Sequence, residues 1–210
     1  MPLFYSHTIN ETTRLAIWHI AETEDFFLEK VPISRAITHP HKRLQHLAGR
    51  YLLQWLFPDF PLHLIQVADT RKPYLPGDSH HFSISHCGDY AAAIVSTTER
   101  VGLDIEIPVD RIRNIQHKYL GEAELLMLLE NQPKAAQIQR LTLAWSAKES
   151  IFKWYSLGEM DFKLQMHLHR LHADGDQGSI EASLTKPECI PLLLKCRFFE
   201  PLVLSWLATT

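Results

Sequence analysis

Apolar positions along this chain recur at two spacings, and the switches between them mark its elements. Residues 41–56 carry Leu44, Leu47, Ala48, Tyr51, Leu52 and Trp55 at steps of three and four, one apolar stripe along a helix. Lys42, Arg43, His46 and Arg50 fall on its other side, either a solvated basic face or a phosphate-facing edge supplied by Arg43 or Arg50. Residues 15–20 read as an early strand. Residues 82–85 alternate apolar and polar as a half-buried strand does, and 91–96 read as the next strand of a hairpin. Residues 101–107 alternate most strictly, with Val101, Leu103, Ile105 and Ile107 on one side and Gly102, Asp104 and Glu106 on the other.

Pro108 ends that strand, and 108–114 reads as a linker. Helices are expected at 121–130 and 137–155, then strands at 163–171, 179–184 and 192–207, with a turn at 174–178. Between Arg71 and Gly77, two prolines and a glycine mark a turn-rich segment. Both halves therefore run helix first and strands later. The pattern predicts an α+β chain of two similar lobes, 1–107 and 108–210.

Composition narrows the partners. A hydrophobic fraction of 46% with 21% charged residues is ordinary for a globular protein, so nothing in bulk argues for disorder. A net charge of -3 gives no reason to expect nucleic acid or an anionic membrane as partner, so any anion site must come from local clustering. Cys87, Cys189 and Cys196 are odd in number and lack a Cys-x-x-Cys pair, which fits a reducing cytosol better than a disulfide framework. No cationic stretch followed by an apolar core opens the chain, and no apolar run approaches the roughly 18 residues of a membrane span. A cytoplasmic, soluble protein is expected.

The candidate chemistry lies in three stretches. Asp104 and Glu106, two apart on a strand, project from one face and repel each other unless a cation compensates. Hard oxygen ligands in small number suit magnesium better than zinc; the plain alternative is the solvent face of an edge strand. Glu149 and Lys153, four apart on a helix whose buried side carries Ala144, Ala147, Ile151 and Tyr155, can face a cleft together. They also read as a surface ion pair worth about 0.3–0.5 kcal/mol, and Ser146-x-x-Glu149 has capping-box spacing. Ser85-His86 sits where a strand meets a Gly88-Asp89 turn, where a histidine or a serine can donate to a phosphate oxygen; the plain alternative is a histidine that is merely exposed or hydrogen-bonded. Cys87 has no base but His86 beside it, which argues against a catalytic thiol. His167, His169 and His172 lack a completing zinc ligand and read as a His-rich strand face. Phosphate-loop, dinucleotide, Gly-x-Ser-x-Gly and His-Glu-x-x-His motifs are absent.

Arg71-Lys72-Pro73-Tyr74, Ser83-Ile84-Ser85-His86-Cys87-Gly88, Val101-Gly102-Leu103-Asp104-Ile105-Glu106 and the run from Trp145 to Lys153 come in the order and spacing of a known family. The chain resembles the 4'-phosphopantetheinyl transferases, in their longer, pseudo-dimeric, surfactin-synthetase-activating branch. The resemblance implies two α+β lobes with the active site in the cleft between them. It implies transfer of phosphopantetheine from coenzyme A to a serine of an apo acyl or peptidyl carrier protein, with Mg²⁺, releasing adenosine 3',5'-bisphosphate. On it, Asp104, Glu106 and Glu149 hold the metal. Lys72, Pro73, Ser85, His86 and Lys153 contact the coenzyme, with Arg43 and Arg50 as further phosphate candidates. Glu149 is the favoured general base, Asp104 or a bound water is the fallback, and Glu124 is a secondary candidate near the site. Two lobes in one chain make a monomer the simplest arrangement. Arg71, Cys87 and Ser156 depart from the family pattern, Ser156 standing where glycine is usual, so the loop after Lys153 is expected to differ in shape. Other readings are a hydrolase of the pyrophosphate of coenzyme A or a nucleotide, and an idle coenzyme-binding or carrier-docking module.

Overall fold

A computed structural model of the chain describes residues 2–33, 36–70 and 72–210. The chain divides into two compact units, Met1–Leu103 with Ala208–Thr210, and Asp104–Leu207. Among the described residues, no helix is long and apolar enough to cross a membrane.

In the first unit, β1 (Leu3–Thr8), β2 (Thr13–His19), β5 (His81–Cys87) and β6 (Tyr90–Ser96) form a sheet ordered β1-β2-β6-β5, all neighbours antiparallel. β6 is one of the sheet's two inner strands, buried from Ala91 to Ser96, which explains its unbroken small-apolar run. Helix α2 (Pro40–Leu56) begins with proline at its first position, where the missing N–H costs nothing, and packs on this sheet. Leu47, Ala48 and Leu52 are buried as the stripe predicts. Trp55, expected on the same stripe, is 39% exposed, because Leu53 and Leu56 take the core positions at the end of the helix. Arg50, expected on a solvated face, is buried. A short helix α1 (Glu24–Leu28) adds Phe27 to this core, and a two-stranded pair, β3 (Gln66–Val67) with β4 (Pro73–Tyr74), lies in the turn-rich segment.

The second unit is built on a sheet ordered β7-β11-β10-β9-β8: β7 (Arg100–Glu106), β8 (Met166–Asp174), β9 (Gln177–Thr185), β10 (Cys189–Phe198) and β11 (Val203–Thr209). The apolar run expected as one strand over 192–207 is thus two antiparallel strands, divided at Phe199 to Leu202, where Pro201 has no N–H to give a ladder. Helices α3 (Ile112–Tyr119), α4 (Glu122–Leu129) and α5 (Lys134–Tyr155) complete it. The expected linker over 108–114 runs into α3 instead. Ile112, Ile115 and Tyr119 stand at steps of three and four and all join the core.

One close approach positions the Ser-His strand. At Gly49 of α2 a Cβ would fall 2.6 Å from Ile84 Cγ2, so only glycine lets the helix lie this near β5. Gln45 donates to the Gly88 carbonyl at 2.8 Å, fixing the helix against the turn that follows His86. Gly49→Ala should therefore lower unfolding stability by about 1–3 kcal/mol in a denaturant titration, despite alanine's better helix propensity. A stabilised variant would show that the contact is not tight.

Candidate functional site

Strand β7 carries Asp104 and Glu106, and helix α5 carries Glu149 and Lys153, all within the Asp104–Leu207 unit. Asp104 is 3% exposed, so this is not the solvent face of an edge strand. Lys153 Nζ donates to Asp104 Oδ1 at 2.6 Å, and the indole N–H of Trp145 donates to Glu106 Oε1 at 3.2 Å. Glu149 is half-buried. Its pKa is pushed up to about 7, first by burial and then by the charges of Asp104 and Glu106, with the Lys153 ammonium pulling the other way. Three carboxylates and one ammonium therefore act on one another at this place. As placed, no three His, Cys, Asp or Glu side chains among the described residues form a group that would hold a metal ion. Asp104 instead meets the Lys153 ammonium and Glu106 the Trp145 N–H.

Two buried polar residues anchor α5. Ser146 is no cap: the helix begins at Lys134, and Ser146 is fully buried, donating to the Asp104 carbonyl at 3.2 Å. Lys148 is fully buried too. Its Nζ lies 2.6 Å from Tyr119 O, 2.9 Å from Phe162 O, 2.8 Å from Met166 O and 2.7 Å from Glu124 Oε1. Glu124 in turn accepts the Gly121 N–H at 2.7 Å and the Leu168 N–H at 3.0 Å. Glu124 is thus a structural partner of Lys148, its two oxygens taken up in tying α4, α5 and β8 together. Burial pulls the Lys148 pKa down while Glu124 opposes the shift.

Trp145 is held edge-on by Tyr119 at 5.2 Å between ring centroids, with Phe162 at 5.5 Å on another side, so its indole is aimed at Glu106. The helix stops at Ser156, whose φ of 73° is the left-handed conformation usually left to glycine. Its hydroxyl lies 3.0 Å from both the Lys153 and Trp154 carbonyls, which offsets the strain. The backbone after Lys153 thus takes a glycine-like turn despite the substitution.

The remaining candidates lie in the first unit. Ser85 is buried and His86 exposed on β5, as alternation requires. Lys72 and Pro73 are half-buried beside the β3–β4 pair, and Arg71 lies outside the described residues. Arg43 grips Glu24 with two N–H groups, at 2.6 and 2.7 Å, and donates to the Ile37 carbonyl at 2.9 Å. Arg50 Nη1 lies 3.0 Å from His46 Nδ1. On β8, His169 meets the Ser183 hydroxyl at 2.8 Å and His172 meets Glu181 at 3.0 Å, as a His-rich strand face would. Cys196 is inert: burial pushes its thiol up to about 12.

Residues 100–190 match the model of the 4'-phosphopantetheinyl transferase superfamily, a stretch that holds Asp104, Glu106, Glu149 and Lys153. Over this stretch the chain is similar to that superfamily. It is 34% identical over 115 residues to enterobactin synthase component D of Escherichia coli (strain K12), covering 53% of this chain and 54% of the relative. To the protein of that name from Salmonella austin it is 31% identical over 121 residues, 55% of this chain and 48% of the relative. To the 4'-phosphopantetheinyl transferase AcpT of Salmonella typhi it is 28% identical over 114 residues, 53% of this chain and 58% of the relative. The chain spans about half the length of the curated relatives it matches.

The stretch of α5 from Trp145 to Lys153 therefore mixes two kinds of residue, and they should respond differently to mutation. Lys148→Met leaves the Glu124 carboxylate buried without its cation and should cost about 3–5 kcal/mol of unfolding free energy. Adding Glu124→Gln should recover part of that loss, since the unpaired charge is gone; no recovery would show that the two do not act as a pair. Glu149 gives a pH signature. Its folded pKa is raised above the unfolded value, so its contribution is fully present below about pH 4.5 and is lost as pH rises through about 7. Between pH 4.5 and 8, wild type should lose on the order of 2–3 kcal/mol more stability than Glu149→Gln. Parallel stability profiles for the two proteins would contradict the assignment.

Proposed function

We propose that this protein transfers the 4'-phosphopantetheine arm of coenzyme A to a serine of an apo acyl or peptidyl carrier protein, releasing adenosine 3',5'-bisphosphate. The observation that carries this reading is the convergence of Asp104, Glu106, Glu149 and Lys153 from one strand and one helix, inside the stretch that matches the superfamily. The donor set fits a hard divalent cation. It offers three carboxylates and no sulfur or imidazole, and Asp104 and Glu106 already raise the Glu149 pKa by their charge. Asp104, Glu106 and Glu149 would hold Mg²⁺, which when bound neutralises charge on the phosphate oxygens.

The chain's own groups supply the rest. Lys153 carries the cation that answers the phosphoryl oxygens, and Asp104 holds that ammonium on the inner side of the site. Glu149 takes the proton of the carrier serine, directly or through a water, as the serine oxygen bonds to the phosphorus bearing the pantetheine. The bond from that phosphorus to the bridging oxygen breaks, and the electron pair leaves with adenosine 3',5'-bisphosphate. In this reading Lys72, Pro73, Ser85 and His86 contact the coenzyme, with Arg43 and Arg50 as further phosphate contacts. Action as a monomer in the cytoplasm belongs to the same proposal.

Intact-mass spectrometry tests it. Incubation with coenzyme A, Mg²⁺ and a panel of apo carrier proteins should add one phosphopantetheinyl group to at least one carrier. Free phosphopantetheine without carrier modification would instead indicate hydrolysis, and binding without product an idle module. Asp104→Ala and Glu149→Ala should each abolish turnover while retaining a folded circular-dichroism spectrum; a normal rate in either would remove that residue from the mechanism.

A further inference from the structure

Helix α5 meets the sheet of its unit through serines where an aliphatic contact would be usual. Ser146, Ser150 and Ser205 are all completely buried. Ser205 Oγ, on β11, lies 2.7 Å from Ser150 Oγ and 2.9 Å from Ser146 Oγ. Ser146 donates to the Asp104 carbonyl at 3.2 Å, and Ser150 also lies 3.0 Å from the Ser205 carbonyl. Each hydroxyl has one hydrogen. Ser150 gives its own to the Ser205 carbonyl and Ser146 to the Asp104 carbonyl, so the Ser205 hydroxyl, within 2.9 Å of both serine oxygens, donates to one of them and links the two.

This chain of hydroxyls begins on the helix one residue after Glu149 and ends on the residue that carries the buried carboxylate. Apolar contact is non-directional and tolerates sliding of a helix over a sheet. Hydrogen bonds between buried hydroxyls do not, because each has a fixed length and a partner that is costly to leave unmet. The small side chains also let α5 lie closer to β7 and β11 than leucines would. We propose that Ser205, outside every motif of the sequence, is a positioning residue. Through Ser146 and Ser150 it sets where Glu149 stands relative to Asp104 and Glu106, and hence how tightly those carboxylates bind a divalent cation.

The inference rests on the proposed metal-binding reading, and one calorimetric series separates the two. Mn²⁺ is titrated into wild type, Asp104→Ala, Ser205→Ala, Ser146→Ala, the Ser146→Ala/Ser205→Ala double variant, and Ser183→Ala. Ser183 is a buried serine on β9 of the same sheet whose hydroxyl meets His169, so it controls for general loosening of the sheet. Melting curves accompany each titration. Ser205→Ala should bind Mn²⁺ about 10-fold more weakly than wild type, with Ser183→Ala unchanged. The double variant should bind no more weakly than Ser146→Ala alone, because both changes cut one chain. Wild-type affinity in Ser205→Ala, equal loss in Ser183→Ala, or additive loss in the double variant would each overturn the positioning role. If wild type and Asp104→Ala fail alike to take up Mn²⁺, the metal-binding reading falls and this inference with it.

Discussion

Like charges held close together inside a protein are the constraint on which this structure turns. Asp104 is almost fully buried, and burial first, then the charges of Asp104 and Glu106, raise the Glu149 pKa. An ionised carboxylate in such a place costs several kcal/mol unless something answers it. Lys153 does so at 2.6 Å from Asp104. The arrangement is costly in stability, so it persists only because the surrounding fold leaves these groups no easier place to go.

The helix that brings Glu149 and Lys153 to Asp104 is accordingly fixed from two sides. Toward the sheet, three serine hydroxyls join α5 to β11 and to the backbone of β7. Away from it, the Lys148 ammonium is surrounded by three carbonyls and Glu124, drawing α4, β8 and the Phe162 segment onto the helix. Adjacent residues of one motif thus do opposite work. Lys148 is spent on architecture, while Glu149 is left partly exposed with its affinity for a proton near neutrality. Trp145 extends the same logic, since aromatic neighbours that hold its ring also aim its N–H at Glu106.

How much of this could be read from the sequence depended on how local the cause was. The strand holding Asp104 and Glu106 and the helix holding Glu149 and Lys153 follow from short-range periodicity, and both occur where it puts them. Helix α3 was hidden because Pro108 and the charged residues after it resemble a linker, although Ile112, Ile115 and Tyr119 carry a helical stripe. A buried Lys148 runs against the general exposure of lysines. Yet it lies four residues after Ala144 and three before Ile151, on the apolar face, and that phase was an available signal. Ser205 offered no such signal, since its partner Ser146 is 59 residues away and nothing local distinguishes it from any serine in a strand. The burial of Asp104 was equally invisible, because it is set by α5 and β11 and not by the alternation of β7.

We propose that these carboxylates share one cation and that Lys153 stands in for it on Asp104 until coenzyme is bound. Crystals grown with Mn²⁺ and coenzyme A address it directly through the anomalous signal of the metal. The account predicts a peak coordinated by Asp104, Glu106 and Glu149, with the Lys153 ammonium moved from Asp104 to a phosphate oxygen. A peak held by other residues, with Lys153 still on Asp104 and Glu149 turned away, would contradict it.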